Sequence, residues 1–206
     1  MKRPIIIGIA GGTASGKTTL ASKIKEEFKE DAIILSHDFY YKSLSDITFE
    51  ERLKRNYDCP EAYETDLLIK DIKTLLEGKT IKRPIYSYTT RLREEKTVSV
   101  DPAPIIVIEG ILVLENKDLT NLMDIKVFVD TDSDIRLTRL IQRDQKERGL
   151  DLEYIISKYK DTLKPMHEQY VEPCKKVADI IIPGNRDNNE IGFSTVIEKI
   201  RSMMER

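Results

Sequence analysis

Short apolar runs recur along the chain, and most of them are separated by stretches with helical spacing of apolar residues. The runs are continuous and rich in Ile and Val, which is typical of strands buried on both faces of a parallel sheet. They lie at Ile5–Ala10, Ala32–Leu35, Ile105–Ile108, Ile125–Val129 and Ile180–Ile182. The helical stretches are Thr18–Lys29, Asp66–Glu77, Asp134–Arg148, Leu152–Tyr170 and Asn188–Met204. Strands that alternate with helices predict an α/β fold with a parallel sheet.

Residues typical of helix ends support these boundaries. Gly78 and Gly149 are expected to end two of the helices, because glycine readily adopts the left-handed backbone found there. Asp132 or Ser133 is the expected N-cap of the helix that begins near residue 134. Pro165 predicts an interruption of the helix over 152–170.

One segment breaks the alternation of strands and helices. Between Pro84 and Pro102, Tyr86 and Tyr88 share a face if the chain is extended, and Thr97–Val100 alternates again. This pattern predicts a β-hairpin or small lobe, at about residues 80–102, set into the main sheet. A plain hairpin and a flap that covers a substrate are both open interpretations.

Composition and charge narrow the class of protein. The 206 residues are 40% apolar, which favours one domain, over residues 1–206, with a substantial core. Thirty-four basic residues against 36 acidic ones leave a net charge of −2, which gives no general attraction to nucleic acid or anionic membranes. No apolar stretch approaches the ~20 residues of a membrane span. Cys59 and Cys174 match no metal or redox spacing, so we expect free thiols and a cytoplasmic protein.

The first apolar run leads into GGTASGKT, which matches the phosphate-binding P-loop pattern G-x-x-x-x-G-K-[ST]. Glycines let successive backbone N–H groups face an anion, and the following helix adds its positive end. Lys17 brings a positive charge to the outer phosphates, and Thr18 offers a hydroxyl to Mg²⁺. The nucleotide-binding residues predicted here are Gly11, Gly12, Thr13, Ala14, Ser15, Gly16, Lys17, Thr18 and Thr19.

A P-loop indicates phosphate binding but does not define the reaction. GTPases usually carry N-K-x-D for guanine, whereas this chain has leucine at the last position of its Asn116–Leu119 segment. A GTPase is therefore disfavoured, and motors and small-molecule kinases remain.

Acidic residues follow three of the predicted strands. Ligands of open α/β sheets gather at the carboxyl ends of the strands, so these groups should lie near the P-loop. We predict that Asp38 is the base that deprotonates an attacking hydroxyl, and that Glu109 belongs to the Mg²⁺ shell. Asp130 is expected to cap the next helix.

The helix near 134–148 carries arginines on one face, at spacings of three and four residues. We predict a lid at about residues 134–165 in which Arg143 and Arg148 close over the phosphates. Arg136 and Arg139 fit either a lid role or structural ion pairing. His37 fits either acceptor orientation or a structural hydrogen bond, and His167 is expected to face solvent.

These segments together resemble the uridine–cytidine kinases, within the phosphoribulokinase–uridine kinase group, over nearly the whole chain. The matching blocks are IAGGTASGKTT, LSHDFYYK, NYDCPEAYETDLL, GKTIKRPIYSYTTRLR, VIEGILVL, VFVDTDSDIRLTRLIQRDQKERG and ADIIIPGNRDN. The resemblance implies a P-loop NTPase-type parallel sheet with flanking helices, an inserted β-hairpin lobe and a helical lid. It also hints at a homotetramer.

The resemblance assigns roles residue by residue. Asp38 matches the family's catalytic aspartate, which agrees with its position after a strand. Asp58 matches the aspartate that binds the ribose hydroxyls, and a carboxylate can accept hydrogen bonds from both. Tyr57, Tyr86 and Tyr88 match aromatic positions around the nucleoside.

The chain departs from the family pattern on the acceptor side. Arg91 occupies a position where the family usually has a base-reading His or Tyr, and it could meet a uracil carbonyl or an anionic acceptor. Leu140 and Leu150 replace two arginines that often contact the sugar, while Arg143 and Arg148 are retained. The donor side matches the family and the acceptor side is altered.

The resemblance implies Mg²⁺-dependent phosphorylation of the 5′-hydroxyl of uridine or cytidine, with ATP or GTP as donor. The alternatives are a kinase of the same fold that acts on a sugar phosphate or pantothenate-like acceptor, and a non-catalytic nucleotide-binding regulator.

Overall fold

Five parallel strands form the central sheet in the computed structural model, which describes residues 3–185 and 189–205. The strands are β1 (Ile5–Gly11), β2 (Ala32–Ser36), β5 (Ile105–Glu109), β6 (Ile125–Asp130) and β7 (Ile180–Pro183). Their order in the sheet is β2–β5–β1–β6–β7. Each runs one residue beyond its predicted C-terminal end. The α/β fold with a parallel sheet is thereby confirmed.

Helices cover both faces of the sheet, because its strands are apolar on both sides. The longer helices are α1 (Lys17–Phe28), α3 (Thr65–Leu76), α5 (Ser133–Arg148), α6 (Leu152–Lys158) and α8 (Glu190–Met204). The short ones are α2 (Phe49–Leu53), α4 (Lys117–Thr120) and α7 (Lys164–Met166). On one face of the sheet, α1 and α8 pack against residues such as Ile7 and Val127. On the other face, α3 and an antiparallel hairpin pack against residues such as Ile6 and Phe128.

The predicted helices agree with the observed ones to within a residue or two, apart from the segment around Pro165. There the chain stays helical to Val171, but wider π-helical turns flank α7 at Tyr159–Leu163 and His167–Val171. The proline lies in the first turn of α7, where the absence of its N–H is tolerated. Asn188, the predicted start of the last helix, lies outside the described residues.

The two predicted stop residues adopt left-handed backbone, with φ of 75° at Gly78 and 63° at Gly149. The prediction for Asp130 is wrong. Its carboxylate pairs with Lys175 Nζ at 2.9 Å, because the strand ends before the turn and Asp132 takes the N-cap position. The Asp132 side chain makes no capping hydrogen bond; it accepts one from Asn185 Nδ2 at 2.9 Å.

A separate antiparallel hairpin is formed by β3 (Ile81–Ser87) and β4 (Leu92–Val100). The strands pair from Ile81 opposite Val100 to Ser87 opposite Leu92. Tyr86 and Tyr88 lie near each other as predicted, with ring centroids 5.5 Å apart. Among the described residues, no helix has the length and apolar character needed to cross a bilayer.

Candidate active site

The loop between β1 and α1 forms a tight cradle at the carboxyl end of the sheet. Gly11 and Gly16 have φ of 152° and 98°, angles that L side chains rarely adopt. A Cβ on Gly11 would lie 2.6 Å from the carbonyl oxygen of Val129. The loop is closed by a hydrogen bond from the Ser15 N–H to the Gly12 carbonyl oxygen at 3.0 Å. The glycines therefore permit both the turn and the close approach to β6.

A cavity of about 490 Å³ opens beside this loop and the start of α1. Its size suits a small organic ligand. Most of the predicted nucleotide-binding residues line it, together with Arg143 of the lid. The lining is Ala14, Ser15, Gly16, Lys17, Thr18, Thr19, Val129, Arg139, Arg143, Glu147, Gly184 and Phe193. Thr13 lines a separate small pocket beside Asp58 and Arg136.

Two oxygen groups suited to Mg²⁺ meet at the edge of this cavity. The Thr18 hydroxyl donates to Glu109 Oε2 at 3.2 Å, and Glu109 is buried at the end of β5. In addition, Ser15 Oγ is buried without a hydrogen-bond partner among the described residues, which fits a ligand-facing group. One hydroxyl and one carboxylate match the few protein ligands that Mg²⁺ takes when phosphates and water supply the rest.

Asp38 lies in a short 3₁₀ turn, His37–Tyr40, that directly follows β2. The end of β2 pairs with the end of β5, with Ser36 opposite Glu109, so Asp38 follows at the same edge of the sheet as the P-loop. Tyr88 of the hairpin donates its hydroxyl to Asp38 Oδ2 at 2.8 Å. Burial and the Asp38 carboxylate raise the pKa of Tyr88, so the phenol stays protonated and can keep donating.

Asp58 lies between the P-loop and the lid in a loop before α3. Burial raises the pKa of its carboxyl to about 6, and the carboxylate of Asp38 adds to this rise. The positive charges of Lys158, Lys17 and Arg143 act in the opposite direction. Asp58 is therefore within electrostatic reach of the predicted base and of both cations on the donor side.

A cluster of tyrosines borders these two carboxylates. Tyr57 and Tyr86, predicted as substrate-binding residues, are buried. They surround Tyr41, with ring centroids 5.4 Å and 4.9 Å away. Tyr63 stacks on Tyr41 at 4.3 Å and donates its hydroxyl to the Tyr41 hydroxyl at 2.8 Å.

Sequence reasoning missed Tyr41 and Tyr63. Both have a pKa well above the usual value for tyrosine, because of burial and the nearby carboxylates of Asp38 and Asp58. Their signal was present in the DFYYK and EAYET segments, but the tyrosines are distant in sequence and only tertiary structure brings them together.

His37 is a structural residue at this site. Its ring stacks on Tyr63 at 4.0 Å, and its Nε2 lies 3.2 Å from Thr65 Oγ1. Burial lowers the pKa of His37 to about 3, so the imidazole is neutral at ordinary pH. Of the two interpretations of this residue, the structural hydrogen bond has the direct support.

Arg91 lies at the hairpin turn with a left-handed φ of 54°. Its guanidinium carbon is 5.2 Å from the centroid of the Tyr57 ring. Lys158, a residue that sequence reasoning did not select, lies at the end of α6. Burial lowers the pKa of Lys158, while the charge of Asp58 opposes that shift and the charge of Arg91 adds to it. Lys158 thus accompanies the Asp58 carboxylate, and Arg91 lies near Lys158 and Tyr57.

Leu140 and Leu150 belong to an apolar cluster between the lid helices. Leu140 is buried together with Ile155 and Tyr159, and Leu150 packs against them. Ala14 of the P-loop packs on the same cluster. The two leucines therefore help to pack α5 and α6 against the P-loop by burial of apolar surface, at positions where the family pattern often has arginine.

The four arginines of α5 divide into two pairs. Arg136 is buried and donates Nε to the Thr131 carbonyl oxygen at 3.0 Å, and Arg139 donates Nη1 to the Gly184 carbonyl oxygen at 2.8 Å. Both of these contacts attach α5 to the segments that follow β6 and β7. Arg143 and Arg148 instead pair with the Asp144 carboxylate.

His167 does not face solvent, contrary to the expectation. Its Nε2 lies 3.2 Å from Glu172 Oε2, and the residue lines the small pocket beside Asp58 and Arg136. Burial and the charge of Arg136 lower its pKa. The prediction was wrong because the polar helix turns this residue inward at its π-helical turn.

An all-parallel sheet, a glycine loop that opens a helix, and carboxylates at the ends of neighbouring strands define a P-loop nucleotide-binding enzyme fold. The sequence pattern of the phosphoribulokinase / uridine kinase family matches residues 6–190. The chain belongs to this family.

Similar proteins extend over the whole chain. It is 47% identical to a uridine kinase of Clostridium novyi over 205 residues, which are 99% of this chain and 98% of the relative. It is 48% identical to a uridine kinase of Anoxybacillus flavithermus over 206 residues, 100% of this chain and 97% of the relative. The structure of phosphoribulokinase from Rhodobacter spheroides has a TM-score of 0.66 and 18% identity, over 89% of this chain and 71% of that one. Because its sequence identity is only 18%, the similarity to this structure supports the fold alone.

Proposed function

We propose that this protein transfers the γ-phosphoryl group of ATP to the 5′-hydroxyl of a pyrimidine nucleoside, uridine or cytidine. The full-length identity of 47–48% to proteins named uridine kinase supports the acceptor class. The observation that carries the proposal is the pair of carboxylates at the P-loop. Asp38 follows β2 at the edge of the sheet that carries the P-loop. Asp58 is close enough to Asp38 and Lys17 for both of their charges to affect its pKa.

On the donor side, the P-loop backbone and Lys17 bind the phosphates, and Arg143 approaches them from the lid. Thr18 and Glu109 would hold Mg²⁺. When bound, Mg²⁺ neutralises charge on the phosphate oxygens. In-line positioning and exclusion of water by the closed lid supply most of the rate enhancement.

On the acceptor side, Asp58 accepts hydrogen bonds from the ribose hydroxyls, and Tyr57 and Tyr86 flank the base. Asp38 accepts the proton of the 5′-hydroxyl as it attacks the γ-phosphorus. Tyr88 donates to one oxygen of Asp38, which leaves the other oxygen for the acceptor and fixes the direction of the carboxylate.

A second candidate is a kinase of the same fold that acts on an anionic alcohol such as a sugar phosphate. It is favoured by Lys158, whose positive charge acts on Asp58, and by Arg91, which adds a second positive charge near Lys158 and Tyr57. For an uncharged nucleoside, the same two groups can donate to the carbonyl oxygens of the base and to the sugar. A regulator without catalysis fits less well, because a nucleotide sensor needs no general base such as Asp38.

A substrate panel separates these candidates. ADP release is measured with Mg²⁺ and ATP or GTP, with uridine, cytidine, a pentose phosphate and pantothenate as separate acceptors. Stimulation by uridine or cytidine supports the proposal. Stimulation only by an anionic alcohol supports the second candidate, and no stimulation by any acceptor contradicts both. A cytoplasmic location and a homotetramer remain predictions, the second of which light scattering of the purified protein can check.

A further inference from the structure

One buried carboxylate in the lid has no role in the chemistry described so far. Asp144 lies near the end of α5, and its side chain is 8% exposed. Arg143 donates both Nη2 and Nε to Asp144 Oδ1, at 2.8 Å and 2.9 Å. Arg148 Nη1 lies 3.3 Å from the same oxygen. A single carboxylate therefore holds the two arginines that were predicted to close over the phosphates.

The backbone of Asp144 is held as firmly as its side chain. Its carbonyl oxygen accepts hydrogen bonds from the N–H groups of Gly149 and Leu150, which close the C-terminus of the helix. The helix end therefore fixes the backbone position from which this carboxylate extends.

The two arginines reach different halves of the site. Arg143 lines the cavity formed by the P-loop. Arg148 lies over the ring of Tyr88, with its guanidinium carbon 5.1 Å from the centroid. Tyr88 in turn donates to Asp38, the proposed base. A continuous set of contacts thus runs from the P-loop cavity through Asp144 to Asp38, the proposed general base.

A shared buried carboxylate has a clear physical effect on two neighbouring arginines. Alone, the two guanidinium groups would repel each other and sample many rotamers, since arginine has a large side-chain entropy. Charge-assisted hydrogen bonds to one fixed oxygen remove much of that freedom. The bonds from Arg143 use its Nε and Nη2 groups, which leaves Nη1 for a phosphate oxygen.

We propose that Asp144 is a positioning residue, which directs Arg143 to the donor phosphates and Arg148 to Tyr88 at the same time. This proposal rests on the proposed kinase activity, because turnover is its main readout. Asp144 does not line the cavity beside the P-loop, so we expect its main effect on turnover to pass through the two arginines.

The first test is Asp144→Asn, which keeps the shape of the side chain and removes its charge. We expect kcat with uridine and Mg·ATP to fall about tenfold or more, and KM for ATP to change less than about threefold, since both arginine charges remain in place. Asp134→Asn is the matched control, because Asp134 is an exposed carboxylate in the first turn of the same helix. It should behave like the wild type.

A double-mutant cycle separates positioning from a purely structural role. In a background that carries Arg143→Ala and Arg148→Ala, adding Asp144→Asn should change kcat by less than about twofold. A full tenfold loss in that background would overturn the proposal, because the effect could not pass through the arginines. If Asp144→Asn does not fold, Asp144→Glu keeps the charge and displaces it, and the same cycle should give a smaller loss of the same kind.

A spectroscopic readout tests the pairing without turnover. In ¹⁵N-labelled protein bound to Mg²⁺ and a non-hydrolysable ATP analogue, the Arg143 Nε–H signal, assigned by its loss in Arg143→Lys, should exchange slowly with solvent. Asp144→Asn should abolish that protection. If the wild type phosphorylates no acceptor, the proposed function fails while this signal still tests the pairing. Loss of protection when the nucleotide binds to the wild type would overturn the positioning role.

Discussion

The proposed nucleotide half of the site is built almost entirely from one continuous segment, whereas the proposed acceptor half is assembled from several distant ones. The P-loop, residues 11–19, needs only Glu109 and the lid arginines to complete the donor side. The acceptor side combines a turn after β2, the loop that holds Asp58, the hairpin and the end of α6. The first half depends on backbone geometry and the second on side chains brought together by tertiary structure.

This difference explains where the chain can vary. Backbone N–H groups bind phosphate whatever the acceptor is, so the donor half keeps the family pattern. Arg91, Leu140 and Leu150 depart from that pattern in the other half, and each has a definite place. Arg91 lies over Tyr57, and the leucines pack between the lid helices and the P-loop. Because the leucines share a cluster with Ala14 of the P-loop, Arg91 is the departure that lies away from the phosphate-binding loop.

The largest expected effect comes from the residue at which the two halves meet. Asp38→Asn should lower kcat about 1000-fold, because a positioned general base contributes 10²–10⁴-fold. The affinity for nucleotide should stay within about threefold, since the P-loop is untouched. ADP release with uridine gives kcat, and titration with Mg·ADP gives the affinity.

The control for this experiment is Asp66→Asn, which removes an exposed carboxylate in the first turn of α3. We expect wild-type turnover from it. Full turnover by Asp38→Asn would mean that another group accepts the proton. Asp38 would then no longer be the residue at which the nucleotide and acceptor halves of the site act together.

A change at Glu109, a proposed Mg²⁺ ligand of the donor half, is expected to have an intermediate effect on activity. Glu109→Gln keeps a hydrogen-bond acceptor for Thr18 but removes the charge that is proposed to face Mg²⁺. The Mg²⁺ concentration for half-maximal activity should rise about tenfold to a hundredfold, in the range found when residues that support a metal are changed. A titration of activity with Mg²⁺ at fixed ATP measures it, with the exposed Glu115→Gln as control. An unchanged Mg²⁺ requirement would remove Glu109 from the metal shell.

Much of the fold and of the donor half was predictable from the sequence. The five strands were located to within a residue, because parallel strands buried on both faces leave continuous apolar runs. Thr18 and Glu109, which are far apart in the chain, were predicted at one site from the rule that ligands gather at strand ends. The structure places them 3.2 Å apart.

The acceptor half and the lid were less predictable, for a common physical reason. In the sequence, Lys158 and Asp144 cannot be distinguished from the solvent-exposed charged residues of a polar helix. They become buried only when α5 and α6 pack together. His167 was misassigned because a π-helical turn changes which face it occupies. Asp130 was misassigned because its partner, Lys175, is supplied by a distant segment. Local patterns carry no information on such long-range pairs.

The smallest expected effect is a pH dependence confined to the acceptor half. Burial raises the pKa of Asp58 to about 6, and only the ionised carboxylate can accept hydrogen bonds from both ribose hydroxyls. As pH falls from 7 to 5, KM for uridine should rise about tenfold, because the ionised fraction falls about tenfold for each unit below the pKa. KM for ATP should change little over the same range. Initial rates in buffers of constant ionic strength measure both constants.

The same carboxylate should affect stability in the opposite direction. Because its pKa is higher in the folded state than its usual 3.8, the folded protein binds more protons than the unfolded chain between about pH 4 and 6. The free energy of unfolding therefore decreases as pH rises through that window. Asp58→Asn should have a higher Tm than the wild type at pH 8, and the difference should vanish near pH 4.

Together, the two measurements decide whether Asp58 is a binding residue held in a destabilising environment. The Asp58→Asn variant should show a weak uridine affinity that no longer varies with pH, along with its higher Tm, whereas Asp66→Asn should match the wild type in both respects. A uridine KM that stays flat from pH 7 to 5 in the wild type would mean that other groups bind the ribose. Arg91 and Lys158 would then be the leading candidates, and the acceptor half would depend on cations.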